Sequence, residues 1–334
     1  MSNQKTYISW GDLVDLYYKL REKGVVQLTE KLHFSESKRS KSKWNNEVSS
    51  SHFWDIPAVL KRWNEKISGD PDLEYETYFT QKYLSSKKGL HLLSIGCGNG
   101  NRERRFASFP NFETIEGIDF ASKQITEAKK IAHAEKLNYL TYHTGDFLHF
   151  PLKKKSYDVI LFNSSLHHFK NIETLLTKRV IPLLKDDGFL VIFEYVGPDR
   201  LQWKKEQLNV SNQVLKNIPP PYRKRYRSNT IKKNIYRPGL LRMFLNDPSE
   251  APASSTILNA IHKHFKIIEE KKVGWDITHL VFKDIAHHFL GDDPKTKELL
   301  EYVFQKEDEY LQHPGTCDAV FGIYQPLHED SSLM

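Results

Sequence analysis

The chain has 334 residues, 39% of them apolar and 12% aromatic, and its 49 Lys and Arg against 42 Asp and Glu leave a net charge of +7. That length and composition suit one large globular domain with additions or two smaller ones, and exclude disordered, collagen-like and disulfide-stapled chains. The two cysteines, Cys97 and Cys317, lie far apart without metal-ligand spacing, which fits a reducing compartment and indicates neither a disulfide framework nor a zinc site.

Residues 1–88 read as an N-terminal helical extension. Ser9 with Asp12 three residues on is a capping pattern for a first helix, whose stripe is Trp10, Leu13, Leu16, Tyr17 and Leu20. Pro57 suits the first turn of a second helix carrying Val59, Leu60, Trp63 and Ile67, and a third holds Tyr75, Tyr78, Phe79 and Tyr83. The run "SKRSKSK" at 37–43 reads as a polar loop.

From Gly89 short apolar runs alternate with helical segments. "HLLSIG" is a strand, 101–108 a helix, "TIEGIDF" a strand, "SKQITEAKKIAHAEKL" an amphipathic helix and "LTYHTGDF" a strand. "YDVILFNSS" follows as a fourth strand, then a helix near 171–184, then "GFLVIFEYV". This alternation over 89–197 builds a parallel sheet with helices on both faces. It stops at a proline-marked stretch, 198–263, read as a mainly helical insertion. Between Lys204 and Arg242 that stretch holds eleven Lys and Arg against the single acid Glu206. "FKIIEEKKV" at 265–273, a helical region over 278–312 and "CDAVFGIYQP" at 317–326 complete the sheet over 264–327.

The segment "LLSIGCGNGN" places Gly96, Gly98 and Gly100 directly after the first strand. Glycine there costs conformational entropy, so bare backbone must serve a close approach, and helix N–H groups behind it can face a ligand. The third glycine stands one position earlier than in the dinucleotide pattern G-x-G-x-x-G, which disfavours a dehydrogenase. Asp119 closes the second strand about twenty residues on, where a carboxylate can bind both hydroxyls of a ribose. Asp146, in "TGDF", is placed for an adenine amino group, with Phe120 and Phe147 as stacking surfaces.

Gly96, Gly98, Gly100, Asp119, Asp146 and "YDVILFNSSLHHF" together resemble a class I S-adenosylmethionine-dependent methyltransferase. "FEYVGPDRLQW", "DPSEA" and "DIAHHFL" further on resemble a bacterial group of such enzymes with no stated substrate. The resemblance implies a Rossmann-like, doubly wound, seven-stranded and mostly parallel sheet with an antiparallel last strand. It implies S-adenosylmethionine as cofactor, with the glycines and Cys97 against its amino-acid part, Asp119 on its ribose, and Asp146 with Phe147 at adenine. Ser94 stands where many relatives have an acid, so backbone carbonyls of Gly96 and Asn163 are the candidates for holding the cofactor's amino group. Arg102 and Tyr78 are candidate contacts for its carboxylate.

Methyl transfer from a sulfonium needs two reactants in line and water excluded. His167 and His168 follow the fourth strand and are candidate bases, although adjacent residues of a helix do not face the same way. Tyr195 is a further catalytic candidate, and Glu194 and Arg200 are substrate candidates. The fifteen histidines form no zinc pattern, and no acidic pair follows strands four and five, so no metal is expected.

Three readings follow. One is transfer to oxygen or nitrogen of a metabolite enclosed by the N-terminal helices and the insertion. A second is non-methyl chemistry on the same sulfonium, cyclisation or aminocarboxypropyl transfer, releasing methylthioadenosine. The third is an RNA methyltransferase or RNA-binding protein that uses the basic stretch on phosphates. With no apolar leader or bilayer-spanning run, the chain reads as a cytoplasmic monomer or homodimer.

Overall fold

A computed structural model describes residues 5–12, 51–226 and 230–327. The described chain forms two compact units. One is drawn from Leu73–Val196, Ala251–Lys271 and the end of the chain from Val320; the other from segments up to Asp72, Gly197–Glu250 and Lys272–Ala319. Residues 73–88, read in sequence with the N-terminal extension, fold with the sheet. Most of 272–319, read as part of the sheet's completion, folds in the unit that holds the basic stretch.

The seven strands are β1 (Leu90–Ile95), β2 (Phe112–Asp119), β3 (Leu140–Thr144), β4 (Tyr157–Asn163), β5 (Leu184–Tyr195), β6 (Phe265–Gly274) and β7 (Ala319–Pro326). Their order is β3-β2-β1-β4-β5-β7-β6. The β1–β2, β1–β4, β2–β3 and β4–β5 pairs are parallel, and β7 is antiparallel, as the sequence predicts. β4 and the end of β5 are near-continuous apolar runs because helices cover both faces of a parallel sheet. Chain order reverses between β1 and β4, which opens a crevice beyond their carboxyl ends.

In this unit α2 (Tyr75–Tyr83), α3 (Asn101–Phe106), α4 (Ser122–Ala134) and α5 (Ile172–Leu175), the last continued by a π-helical stretch at Leu176–Val180 and a final turn at Ile181–Leu183, alternate with the strands. Leu93, Ile95, Ile118, Phe162, Leu166 and Ile192 belong to one buried cluster beneath the crevice. The strand read from Gly188 begins earlier, at Leu184, with a register irregularity against β4 between Tyr157 and Val159.

The other unit contains α1 (Pro57–Ser68), α6 (Lys205–Asn217), α7 (Leu240–Asn246), α9 (Thr278–Phe282) and α10 (Pro294–Leu311); α8 (Ile257–His264) lies in the sheet unit. α1 starts on Pro57, ends on Gly69 in the left-handed conformation, and buries Val59, Trp63 and Ile67. The pattern at Ser9 is a capping box: Ser9 Oγ accepts the Asp12 N–H at 3.1 Å, and Asp12 Oδ2 accepts the Ser9 N–H at 2.8 Å. Leu13, Leu16, Tyr17, Leu20 and the run 37–43 lie outside the described residues.

The basic stretch is less uniformly helical than its sequence suggests. Prolines at 219–221 and 238 remove backbone donors, and the chain between α6 and α7 is mostly irregular. Several of its cations are engaged inside their own unit. Lys232 is buried and donates to the carbonyls of Leu280, Val281 and Lys283, Arg225 pairs with Asp284 at 2.6 Å, and Arg237 donates to the Trp203 carbonyl. Of the aromatics in this stretch, Trp203 is buried, Tyr222 lies against Phe289 and Tyr226 against His287, while Tyr236 is exposed. Among the described residues no helix is long and apolar enough to cross a membrane.

Candidate active site

The loop after β1 owes its shape to three glycines in the left-handed region: Gly96 at φ 72°, Gly98 at 55° and Gly100 at 76°. Their reasons differ. A Cβ on Gly96 would stand 2.5 Å from the Ser165 Cβ, and one on Gly100 would stand 2.1 Å from the Tyr142 hydroxyl, so both glycines admit protein neighbours. A Cβ on Gly98 would meet nothing within 4 Å. That open space over bare backbone is the cradle a ligand would fill.

Asp119, at the end of β2, binds this loop. Its Oδ2 accepts the Gly98 N–H at 2.9 Å and its Oδ1 the Ala121 N–H at 2.7 Å. Each oxygen keeps a second lone pair for a ligand hydroxyl. Burial raises its pKa above the ordinary carboxylate value, against the three backbone N–H groups that lower it. Gly145 N–H donates to the Asp119 carbonyl at 2.9 Å, tying the end of β3 to the same corner.

Asp146 is exposed, with Oδ1 accepting the Leu148 N–H at 3.0 Å and Oδ2 lying 2.9 Å from His149 Nδ1. Phe147 is buried, edge-on to Phe162 and Phe169, so it builds the wall beneath the crevice rather than an open stacking face. Phe120 is half-buried beside Asp119. Burial raises the thiol pKa of Cys97 above its ordinary value. Asn163 closes β4, and its Oδ1 accepts the Tyr75 hydroxyl at 3.0 Å.

Two sequence candidates have partners within their own units. The Tyr78 hydroxyl donates to Glu269 at 2.8 Å, on edge strand β6 and not at the glycine loop. Arg200 belongs to the other unit, where it is buried and donates to the carbonyls of Pro248 (2.8 Å) and Glu250 (2.9 Å). Arg102, on α3 just past the loop, pairs with buried Glu76 at 2.8 Å and lies 5.3 Å from the Tyr75 ring centroid.

The turn after β4 carries the histidines. His167 is buried, His168 is half-buried, and their ring centroids are 4.2 Å apart. The Tyr195 ring stands edge-on to His167 at 6.1 Å. Glu194, read from sequence as a substrate contact, is wholly buried and bonded to His167 Nδ1 and three backbone N–H groups, so it organises the turn and does not reach a ligand.

Sequence reasoning missed four residues that shape the site: Ser165, whose hydroxyl donates to the Ile95 carbonyl at 2.6 Å; Tyr142, whose hydroxyl donates to the Gly100 carbonyl at 3.0 Å; Tyr75; and Glu103. Glu103 is a buried acid on α3 that hydrogen-bonds Ser94, the position where an acid is absent, and burial pushes its pKa up to about 7.

Residues 86–240 match the model of a family described as a methyltransferase domain. Over 126 residues the chain is 25% identical to a sterol 24-C-methyltransferase of Aspergillus fumigatus, covering 37% of this chain and 33% of that one. Over 114 residues it is 34% identical to the 27-O-demethylrifamycin SV methyltransferase of Amycolatopsis mediterranei, covering 34% and 41%. The chain thus spans about a third of the length of the first curated relatives it matches. It is also similar to the crystal structure of geranyl diphosphate C-methyltransferase from Streptomyces coelicolor A3(2), with TM-score 0.49, 13% identity, and coverage of 87% of this chain and 98% of that one. Glycine loop, strand-end acid and family match agree: residues 86–240 of this chain form a class I S-adenosylmethionine-dependent methyltransferase domain.

Proposed function

We propose that the protein transfers the methyl group of S-adenosylmethionine to an oxygen or nitrogen of a small molecule. The observation that carries this reading is the bend closed by the Gly98 N–H on Asp119, with open space over Gly98 where the family's cofactor would lie. Asp119 would hold the ribose hydroxyls, the backbone of 96–100 the amino-acid part, and Asp146 the adenine edge. When bound, the cofactor supplies an electrophilic methyl on a sulfonium. The chain's own groups align the acceptor and remove its proton. His167, on the turn after β4, would take the acceptor's proton as the acceptor is methylated.

The relatives' names cover carbon and oxygen acceptors. A base at the strand end supports an acceptor that gives up a proton as it is methylated. The internal engagement of Arg225, Lys232 and Arg237 weighs against a phosphate-binding surface along the basic stretch.

The test is incubation of the protein with methyl-labelled S-adenosylmethionine, with and without fractionated metabolites. Label entering a metabolite together with S-adenosylhomocysteine is the expected result. Methylthioadenosine formed from cofactor alone would replace this reading with cyclisation or aminocarboxypropyl chemistry.

A further inference from the structure

We propose that Glu194 is a positioning residue that fixes the proton of His167 on Nδ1 and so makes Nε2 its basic nitrogen; the catalytic use of that nitrogen rests on the reading of His167 as the base. Glu194 is the penultimate residue of β5 and is 0% exposed. An anionic side chain at such a place is costly unless its lone pairs are met. Here three backbone donors and one imidazole nitrogen meet them. Oε2 accepts the N–H groups of Ser165 at 2.8 Å and Leu166 at 2.6 Å, Oε1 accepts the N–H of Tyr195 at 3.0 Å, and Oε1 shares a short hydrogen bond with His167 Nδ1.

The backbone is bent to make this possible. Ser164, a residue with a Cβ, sits in the left-handed region at φ 51°, and its N–H donates to the Phe193 carbonyl at 2.8 Å. That turn aims the next two N–H groups at the carboxylate, and it carries His167 on the same short 3₁₀ turn, Leu166–His168. Strand end and turn are therefore locked through one side chain. With three backbone donors fixed around it, the carboxylate can only accept from the imidazole, so the proton lies on Nδ1. A carboxylate behind an imidazole raises the basicity of the far nitrogen and holds the ring's orientation, the same logic that orients histidines in acyl-transfer triads and metal sites.

The experiment reads the tautomer of the full-length protein by NMR with ¹⁵N-labelled histidine rings, the His167 signals being those lost in His167→Asn. The expected wild-type pattern is a protonated Nδ1 and an unprotonated Nε2. In Glu194→Gln that pattern gives way to Nε2 protonation. A wild-type His167 protonated on Nε2, or a tautomer unmoved by Glu194→Gln, overturns the proposal. Should Glu194→Gln fail to fold, the wild-type spectrum alone decides. Failure of the wild-type protein to bind S-adenosylhomocysteine would instead count against the methyltransferase reading and leave the tautomer assignment intact.

Discussion

The Gly98 N–H donates to Asp119 Oδ2 at 2.9 Å, joining the loop after β1 to the end of β2, where the Gly96 and Cys97 N–H groups also donate to the Ile118 carbonyl. The acid thus shapes the loop, and in the proposed function it also holds the ribose. Asp119→Ala removes both roles. Hydrogen bonds to charged groups contribute about 1.5–3 kcal/mol, so S-adenosylhomocysteine should bind roughly ten- to a hundredfold more weakly. Calorimetry on the variant checks this, and unchanged affinity would remove Asp119 from the site.

Gly98 and Gly100 share a backbone conformation but not a reason for it, so alanine at each should fail differently. At Gly98 the new methyl enters open space, and the strain of the left-handed conformation is about 1–2 kcal/mol. Gly98→Ala should fold with a modestly lowered melting temperature and lose cofactor binding. At Gly100 the methyl collides with the Tyr142 ring, which itself is buried and bonded to the Gly100 carbonyl. Gly100→Ala should lose stability first. Thermal melts paired with calorimetry separate the two outcomes.

Glu103 gives the sheet unit an unusual pH response. Its pKa is pushed up to about 7 by burial, only partly opposed by the Ser94 hydroxyl, against about 4.3 in an unfolded chain. Because the folded value is the higher one, its contribution is complete below the unfolded pKa and is lost as pH rises toward 7. The slope is at most about 1.4 kcal/mol per pH unit. Glu103→Gln keeps the shape and removes the titration, so it should gain stability relative to wild type between pH 5 and pH 7.5. Urea unfolding at the two pH values measures the difference.

Glu103 also shows what the sequence withheld. The glycine loop and Asp119 were legible because they answer local demands, positive φ and a strand end, that residue type reveals directly. The mostly parallel sheet was legible because apolar runs alternating with amphipathic helices admit few topologies. In "NRERRF", by contrast, Glu103 looks like one more charge on a solvated helix, and its burial against Ser94 depends on how α3 packs over β1. Tyr78 misled for a similar reason: its hydroxyl is claimed by Glu269, 191 residues away in sequence. Phe147 follows Asp146 directly, but the chain turns there, with the His149 and Phe150 N–H groups donating to the Asp146 carbonyl, and the Phe147 side chain joins the core.

His279, in the other unit, should respond to pH in the opposite sense. Its ring is stacked on Phe53 at 5.0 Å and edge-on to Trp203 at 5.8 Å, and its Nδ1 has no hydrogen-bond partner among the described residues. Burial, with Lys283 adding to it, lowers its pKa to about 3, against about 6.5 unfolded. The neutral ring is what the fold accommodates. Above pH 6.5 both states are neutral and the contribution is complete; below it the unfolded chain binds the proton first, and stability falls until about pH 3. His279→Phe fills the aromatic cage without a titrating group, so its unfolding free energy should decline less steeply than wild type between pH 6.5 and pH 4. Parallel slopes for the two proteins over that range would show that the ring finds a protonated state the packed structure tolerates.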